Sequence, residues 1–131
     1  TINAVNALQR KGYHNYCLTG GFLKEKSEML VSTKGAEMLK EFGFTKAFIS
    51  AAGVNAKLGV TCVNNYEVEY KKTAIDRAVK KYLVVDSSKF GVVRMNYFAN
   101  LSQFDAVITD KNLSEEWAQQ IKELGLELYL C

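Results

Sequence analysis

Val84-Val85-Asp86-Ser87-Ser88-Lys89-Phe90-Gly91 (VVDSSKFG) reads at its start as a buried strand and changes character within two residues. Its β-branched start suits a strand covered on both faces. The acid, two hydroxyls, lysine and glycine that follow suit a solvated turn, an anion cradle or a catalytic cluster. An apolar strand that breaks into polar residues at its carboxyl end is how ligand-binding parallel sheets are built, provided the pattern recurs with helices between the strands.

The pattern recurs on both sides. Upstream, Lys46-Ala47-Phe48-Ile49-Ser50 reads as a strand running into Ala51-Ala52-Gly53, and downstream Phe104-Asp105-Ala106-Val107-Ile108 runs into Thr109-Asp110. Tyr13 to Leu18 reads as a shorter strand ending in Thr19-Gly20-Gly21, and Leu126 to Leu130 as a last one. Helices are expected between them. Ile2, Val5 and Leu8 recur at helical spacing up to Lys11, and Gly12 can stop that helix. Ser32 or Thr33 can cap a second, with apolar Met38, Leu39 and Phe42 and a stop at Gly43. After a loop from Val54 to Asn64, a long helix is expected from Asn64 or Asn65 to about Lys81, with Val68, Ile75, Ala78, Val79 and Tyr82 on its apolar side. Asn112 with Glu115 resembles a capping pair ahead of Trp117, Ile121 and Leu124, and Gly125 ends that helix. Arg94 to Phe98 adds an irregular or antiparallel strand. Alternation of this kind predicts an α/β fold, a mostly parallel sheet flanked by helices, formed as one domain over residues 1–131.

Composition narrows the function classes. At 131 residues, 48% apolar and 24% charged, the chain has the make-up of an ordinary globular domain. No apolar run approaches the ~18 residues that span a bilayer, and no signal-peptide pattern opens the chain, so a cytoplasmic protein is expected. Three cysteines, Cys17, Cys62 and Cys131, lack CxxC spacing and form neither a disulfide framework nor a zinc site; buried reduced thiols are expected. Seventeen Lys and Arg lie spread among fourteen acids, for a net charge of +3, which is no nucleic-acid footprint. Proline is absent where a chain of this size usually has about six, so glycine carries the punctuation. The first residues, Thr1 to Leu8, already lie in a helical pattern with no initiator Met, as expected of a fragment.

Four strand ends carry the small or polar residues of a binding edge: Thr19-Gly20-Gly21, Ser50-Ala51-Ala52-Gly53, Asp86-Ser87-Ser88-Lys89 and Thr109-Asp110. Glycine admits close approach to the backbone, N–H groups at loops and helix starts favour anions, and Lys89 adds a point charge suited to phosphate. Glu67 and Lys71, four apart at the start of the long helix, form either a surface ion pair or a pair serving a ligand at the same edge. His14, the one histidine, stands within an expected strand with no acid or serine at useful spacing, so nucleophilic catalysis has little support. Asp86, Glu67 and Lys71 are types that an aldose–ketose isomerase uses, which keeps an enzyme open as the alternative. Gly20-Gly21 is too short for a dinucleotide fingerprint, and nothing asks for a cofactor or a metal.

In order, Leu18-Thr19-Gly20-Gly21, Lys46 to Val54, Gly59-Val60-Thr61-Cys62, Glu67 with Lys71, Asp86 to Gly91 and Phe104-Asp105-x-x-Ile108-Thr109-Asp110 resemble the C-terminal sensor domain of DeoR-family transcriptional regulators. The resemblance implies a Rossmann-like fold akin to ribose-5-phosphate isomerases and CoA-transferases. It also implies a repressor of carbohydrate metabolism: a sensor that binds a phosphorylated sugar without turning it over, self-associates, and alters DNA binding by an N-terminal winged helix-turn-helix. Carried over by position, Gly20, Gly21, Gly53, Glu67, Lys71, Asp86 and Lys89 match the family's pocket motifs, with Ser87 and Ser88 in the same turn and Lys89 the implied phosphate contact. The front of the family pattern, the helix-turn-helix and an opening strand with an Asp-x-Gly-Thr-Thr loop, is not in this chain, so the sensor fold is expected to be incomplete on that side. An isomerase or transferase on the same scaffold, or an oligomerisation module with a vestigial pocket, are the competing expectations.

Overall fold

A computed structural model describes residues 1–131, which divide into two compact units, 1–42 and 43–131. In the first, α1 (Ile2–Arg10) is capped by the Thr1 hydroxyl, which accepts from the Ala4 N–H at 3.4 Å. The helix closes at Gly12, whose positive φ of 79° lets the Gly12 and Tyr13 N–H groups bond back to Gln9 and Leu8. β1 (Phe22–Lys24) and β2 (Met29–Val31) pair antiparallel, with Phe22 opposite Val31. The Ser32 hydroxyl then accepts from the Gly35 N–H at 2.9 Å and starts α2 (Thr33–Lys40). Here the sequence expectation needs correcting. Tyr13 to Leu18 is not a strand, because its backbone finds no ladder partner, and the first strand follows Gly20-Gly21 instead of preceding it.

The second unit is built on four parallel strands in the order β3 (Phe44–Ser50), β6 (Ala78–Val84), β8 (Ala106–Thr109), β9 (Glu127–Leu130). Three further strands, β4 (Gly53–Asn55), β5 (Gly59–Cys62) and β7 (Asn96–Ala99), form an antiparallel sheet. The helices α3 (Val68–Arg77) and α4 (Glu115–Glu123) contribute Ile75 and Ile121 to one buried cluster with Val54, Val60, Leu83, Phe98 and Val107. No helix is long and apolar enough to cross a membrane.

The α/β architecture and the parallel sheet follow the sequence pattern; three boundaries do not. Residues 54–64, expected as a loop, are mostly the β4–β5 hairpin, whose turn is held by the Asn55 side chain accepting from the Lys57 and Leu58 N–H groups at 3.0 and 2.9 Å. The long helix stops at Arg77, four residues early, because Ala78 turns extended (φ −99°, ψ 140°) and the chain pairs with β3 from Phe44↔Ala78 to Ser50↔Val84. Val79, counted on the apolar side of a helix, is 75% exposed on that strand. Ser114, not Asn112, caps α4, accepting from the Trp117 N–H at 3.4 Å.

One close approach places the opening motif. A Cβ on Gly53 would stand 2.5 Å from the Val92 carbonyl oxygen, the Gly91 N–H donates to Val54 O at 2.8 Å, and Val54 bridges to Phe90. The segment after the Asp86–Lys89 turn is thereby strapped along β4, and Phe90 packs against Trp117 with ring centroids 5.2 Å apart.

Candidate functional site

The carboxyl ends of the parallel strands enclose an open cleft of about 450 Å³. Ser50 and Ala51 line it where β3 ends, Val84, Val85 and Asp86 where β6 ends, Ile108, Thr109 and Asp110 where β8 ends, and Cys131 just after β9. Two of its hydrogen-bonding groups stand out. Thr109 is buried to 4% exposure and its hydroxyl oxygen has no partner, a costly state for a polar group away from water. Asp110 accepts from the Ser87 N–H at 2.7 Å and the Asn112 N–H at 2.9 Å, and these bonds, Ser87 first, hold its carboxyl down to about 2.

Asp86 caps a single 3-10 turn, Ser87–Lys89, that follows β6. Asp86 accepts from the Ser88 N–H at 3.1 Å and from the Ser88 hydroxyl, and its pKa is lowered chiefly by that hydroxyl and further by Lys89. The Lys89 ammonium stands 3.3 Å from Asp86 and donates to Ser88 Oγ at 2.9 Å. The remaining N–H groups, of Lys89 and Phe90, bond within the turn to Asp86 O and Ser87 O. Every amide from Ser87 to Phe90 therefore already has a protein acceptor, and the turn offers a ligand hydroxyls, carboxylate oxygens and one ammonium.

Glu67 and Lys71 are not a surface pair. Their side chains are 13% and 9% exposed with 2.8 Å between Lys71 Nζ and Glu67 Oε2. Lys71 also donates to Ser50 O at 2.7 Å and sits 5.0 Å from the Phe98 ring centroid, while the Asn64 amide donates to Glu67 at 2.7 Å. Neither side chain lines the cleft; Lys71 reaches it only by holding the carbonyl of the cleft-lining Ser50. Beside the pair, burial pushes the Cys62 thiol up, against the pull of Lys71. Gly53 is a packing glycine under Val92. Gly20 and Gly21 belong to the first unit, ahead of β1, where Gly21 at φ 110° lies so close to Val31 O that a Cβ has no room. Thr109-Asp110, in the sequence one of the four strand ends of a binding edge, is not among the residues that match the family's pocket motifs; its position after an apolar strand was the available signal.

The fold and this edge define an α/β domain with an open cleft at the carboxyl ends of its parallel strands. The family model described as DeoR C terminal sensor domain matches residues 1–111, and the chain belongs to that family. It is 33% identical to the deoxyribose operon repressor of Escherichia coli K12 over 98% of this chain and 51% of that protein. It is 30% identical to the HTH-type transcriptional regulator IolR of Bacillus subtilis over 99% and 51%, and 33% identical to the lactose phosphotransferase system repressor of Staphylococcus epidermidis over 72% and 38%. The chain thus spans about half the length, or less, of these relatives, which are transcriptional regulators.

Proposed function

We propose that the chain is the effector-binding part of a DeoR-type transcriptional repressor, and that the carboxyl-edge cleft takes a phosphorylated sugar or related metabolite. The observation that carries this is the unpartnered, buried Thr109 hydroxyl in a cleft whose rim supplies Asp86 and Asp110. A polyol answers that set: its hydroxyls donate to carboxylates and exchange bonds with a threonine. Both carboxyls are held below their ordinary range, so near neutral pH they stay ionised and make poor proton shuttles. Glu67, the remaining candidate base, is committed to Lys71 and Asn64. The site thus suits binding without turnover. Ligand binding would shift DNA affinity, exerted through a helix-turn-helix portion of a longer, self-associating protein, by no more than the effector's differential affinity for the two states.

Thermal-shift titration of the full-length protein with deoxyribose 5-phosphate, tagatose 6-phosphate, glycerol 3-phosphate and fructose phosphates tests this. A stabilising ligand at a hundred times its Kd adds about 2.7 kcal/mol, a shift of several degrees. No stabilisation by any of them refutes the proposal.

A further inference from the structure

An anion finds little to hold in the Asp86–Lys89 turn. Its Ser87 and Ser88 amides already serve Asp110 and Asp86, and Lys89 is balanced by Asp86. Two carboxylates against one ammonium leave a local formal charge of −1, which opposes a phosphate placed there unaided. Another cation is needed at this edge, and Arg94 has the right place and the right vacancies.

The chain from the turn runs along β4 and brings Arg94 beside Ala52, next in sequence to the cleft-lining Ala51. Its N–H donates to Thr61 Oγ1 at 2.9 Å, and that hydroxyl donates to Gly53 O at 3.3 Å, which fixes the backbone. Its Nε–H donates to Ala52 O at 3.4 Å, one residue beyond the cleft-lining Ala51. No carboxylate lies within ion-pair range of Arg94, so the remaining guanidinium N–H groups have no protein acceptor. A planar fork held at one nitrogen and free at the others suits bidentate capture of a phosphate. Counting Arg94 brings the local formal charge to zero before ligand binds.

We propose that Arg94 is the phosphate anchor of the effector site, with Lys89 as the lesser contributor, while Thr109, Asp86 and Asp110 read the sugar hydroxyls. This rests on the effector-site proposal above, and makes the preference for phosphorylated over free sugars a property of one side chain outside the Asp86–Lys89 motif.

The test is calorimetric titration of the full-length protein, wild type, Arg94→Ala and Arg94→Lys, with deoxyribose 5-phosphate, glycerol 3-phosphate and fructose 6-phosphate, each beside its unphosphorylated parent. Loss of a charge-assisted pair weakens binding of the phosphorylated probe by roughly ten- to a hundredfold in Arg94→Ala. The affinity for the parent stays within about twofold, because only the phosphate contact is lost. Arg94→Lys regains part of the loss. Arg94 is exposed, so the melting temperature of the free variants stays at the wild-type value. Unchanged phosphoester affinity in Arg94→Ala, or equal losses for ester and parent, overturns the anchor and leaves the effector site standing. A wild-type protein that binds none of the phosphorylated probes overturns both.

Discussion

Lys71→Met removes the ammonium that ties the start of α3 to the end of β3 and keeps most of the side-chain stem. Lys71 is 8% exposed, and its charge meets Glu67 at 2.8 Å, Ser50 O at 2.7 Å and the Phe98 ring at 5.0 Å. Stripping one partner from a buried ion pair costs roughly 3–5 kcal/mol, mostly from the charge left behind. Here Glu67 keeps the Asn64 amide and 13% exposure, which points to the low end, about 3 kcal/mol in all once the orphaned Ser50 carbonyl is included. Met replaces the methylenes, so no sizeable cavity adds to this. For a chain of this length the loss corresponds to about 10 °C in Tm. Urea unfolding followed by far-UV circular dichroism measures it, and the double variant Lys71→Met/Glu67→Leu should recover most of the loss, because no buried charge is then left unpaired. A loss under about 1 kcal/mol, as exposed pairs show, or a double variant as weak as the single, refutes the buried-pair account.

Gly53→Ala drives a Cβ to 2.5 Å from Val92 O and 2.7 Å from Thr61 Oγ1, and should cost about 1–3 kcal/mol in the same assay, whereas Gly43→Ala, with nothing within 4 Å, stays within about 1 kcal/mol of wild type. A thiol-reactive probe on the native protein should label the exposed Cys17 and Cys131 quickly and Cys62, buried and raised by that burial, only on unfolding; three equal rates contradict the packing. The Asp110 carboxyl should titrate near 2 in a ¹³C NMR pH series. Because its folded pKa lies below the ordinary 3.8, the stability its bonds contribute is present above 3.8 and is lost as pH falls through about 2; a midpoint near 3.8 would count against the Ser87 and Asn112 bonds.

The sheet was legible because its strands are compact apolar runs: Ala47-Phe48-Ile49, Leu83-Val84-Val85 and Ala106-Val107-Ile108 each break into polar residues at the carboxyl end. The α3–β6 junction was not, since no glycine or proline marks it and Ala78, Val79 and Tyr82 fit a helical period as well as a strand. Pairing with β3 decides between them, and that is a tertiary fact. Tyr13 to Leu18 failed in the opposite sense, a strand-like composition without a ladder. At the site, the place of Asp86 to Lys89 on the carboxyl edge followed from strand polarity. That their amides are occupied did not follow, because one occupant, Asp110, lies 23 residues away and meets Ser87 through the β6–β8 pairing. The spacing of Glu67 and Lys71 was visible; its burial under Phe98 was not.

Amide chemical-shift mapping of the full-length protein titrated with the phosphorylated sugars locates the effector. With the effector in the carboxyl-edge cleft, the largest saturable shifts fall on Ser87, Ser88, Thr109 and Asp110. Saturable shifts centred instead at the opposite end of the sheet, around Asp76, Gln103 and Asp105, would contradict that placement.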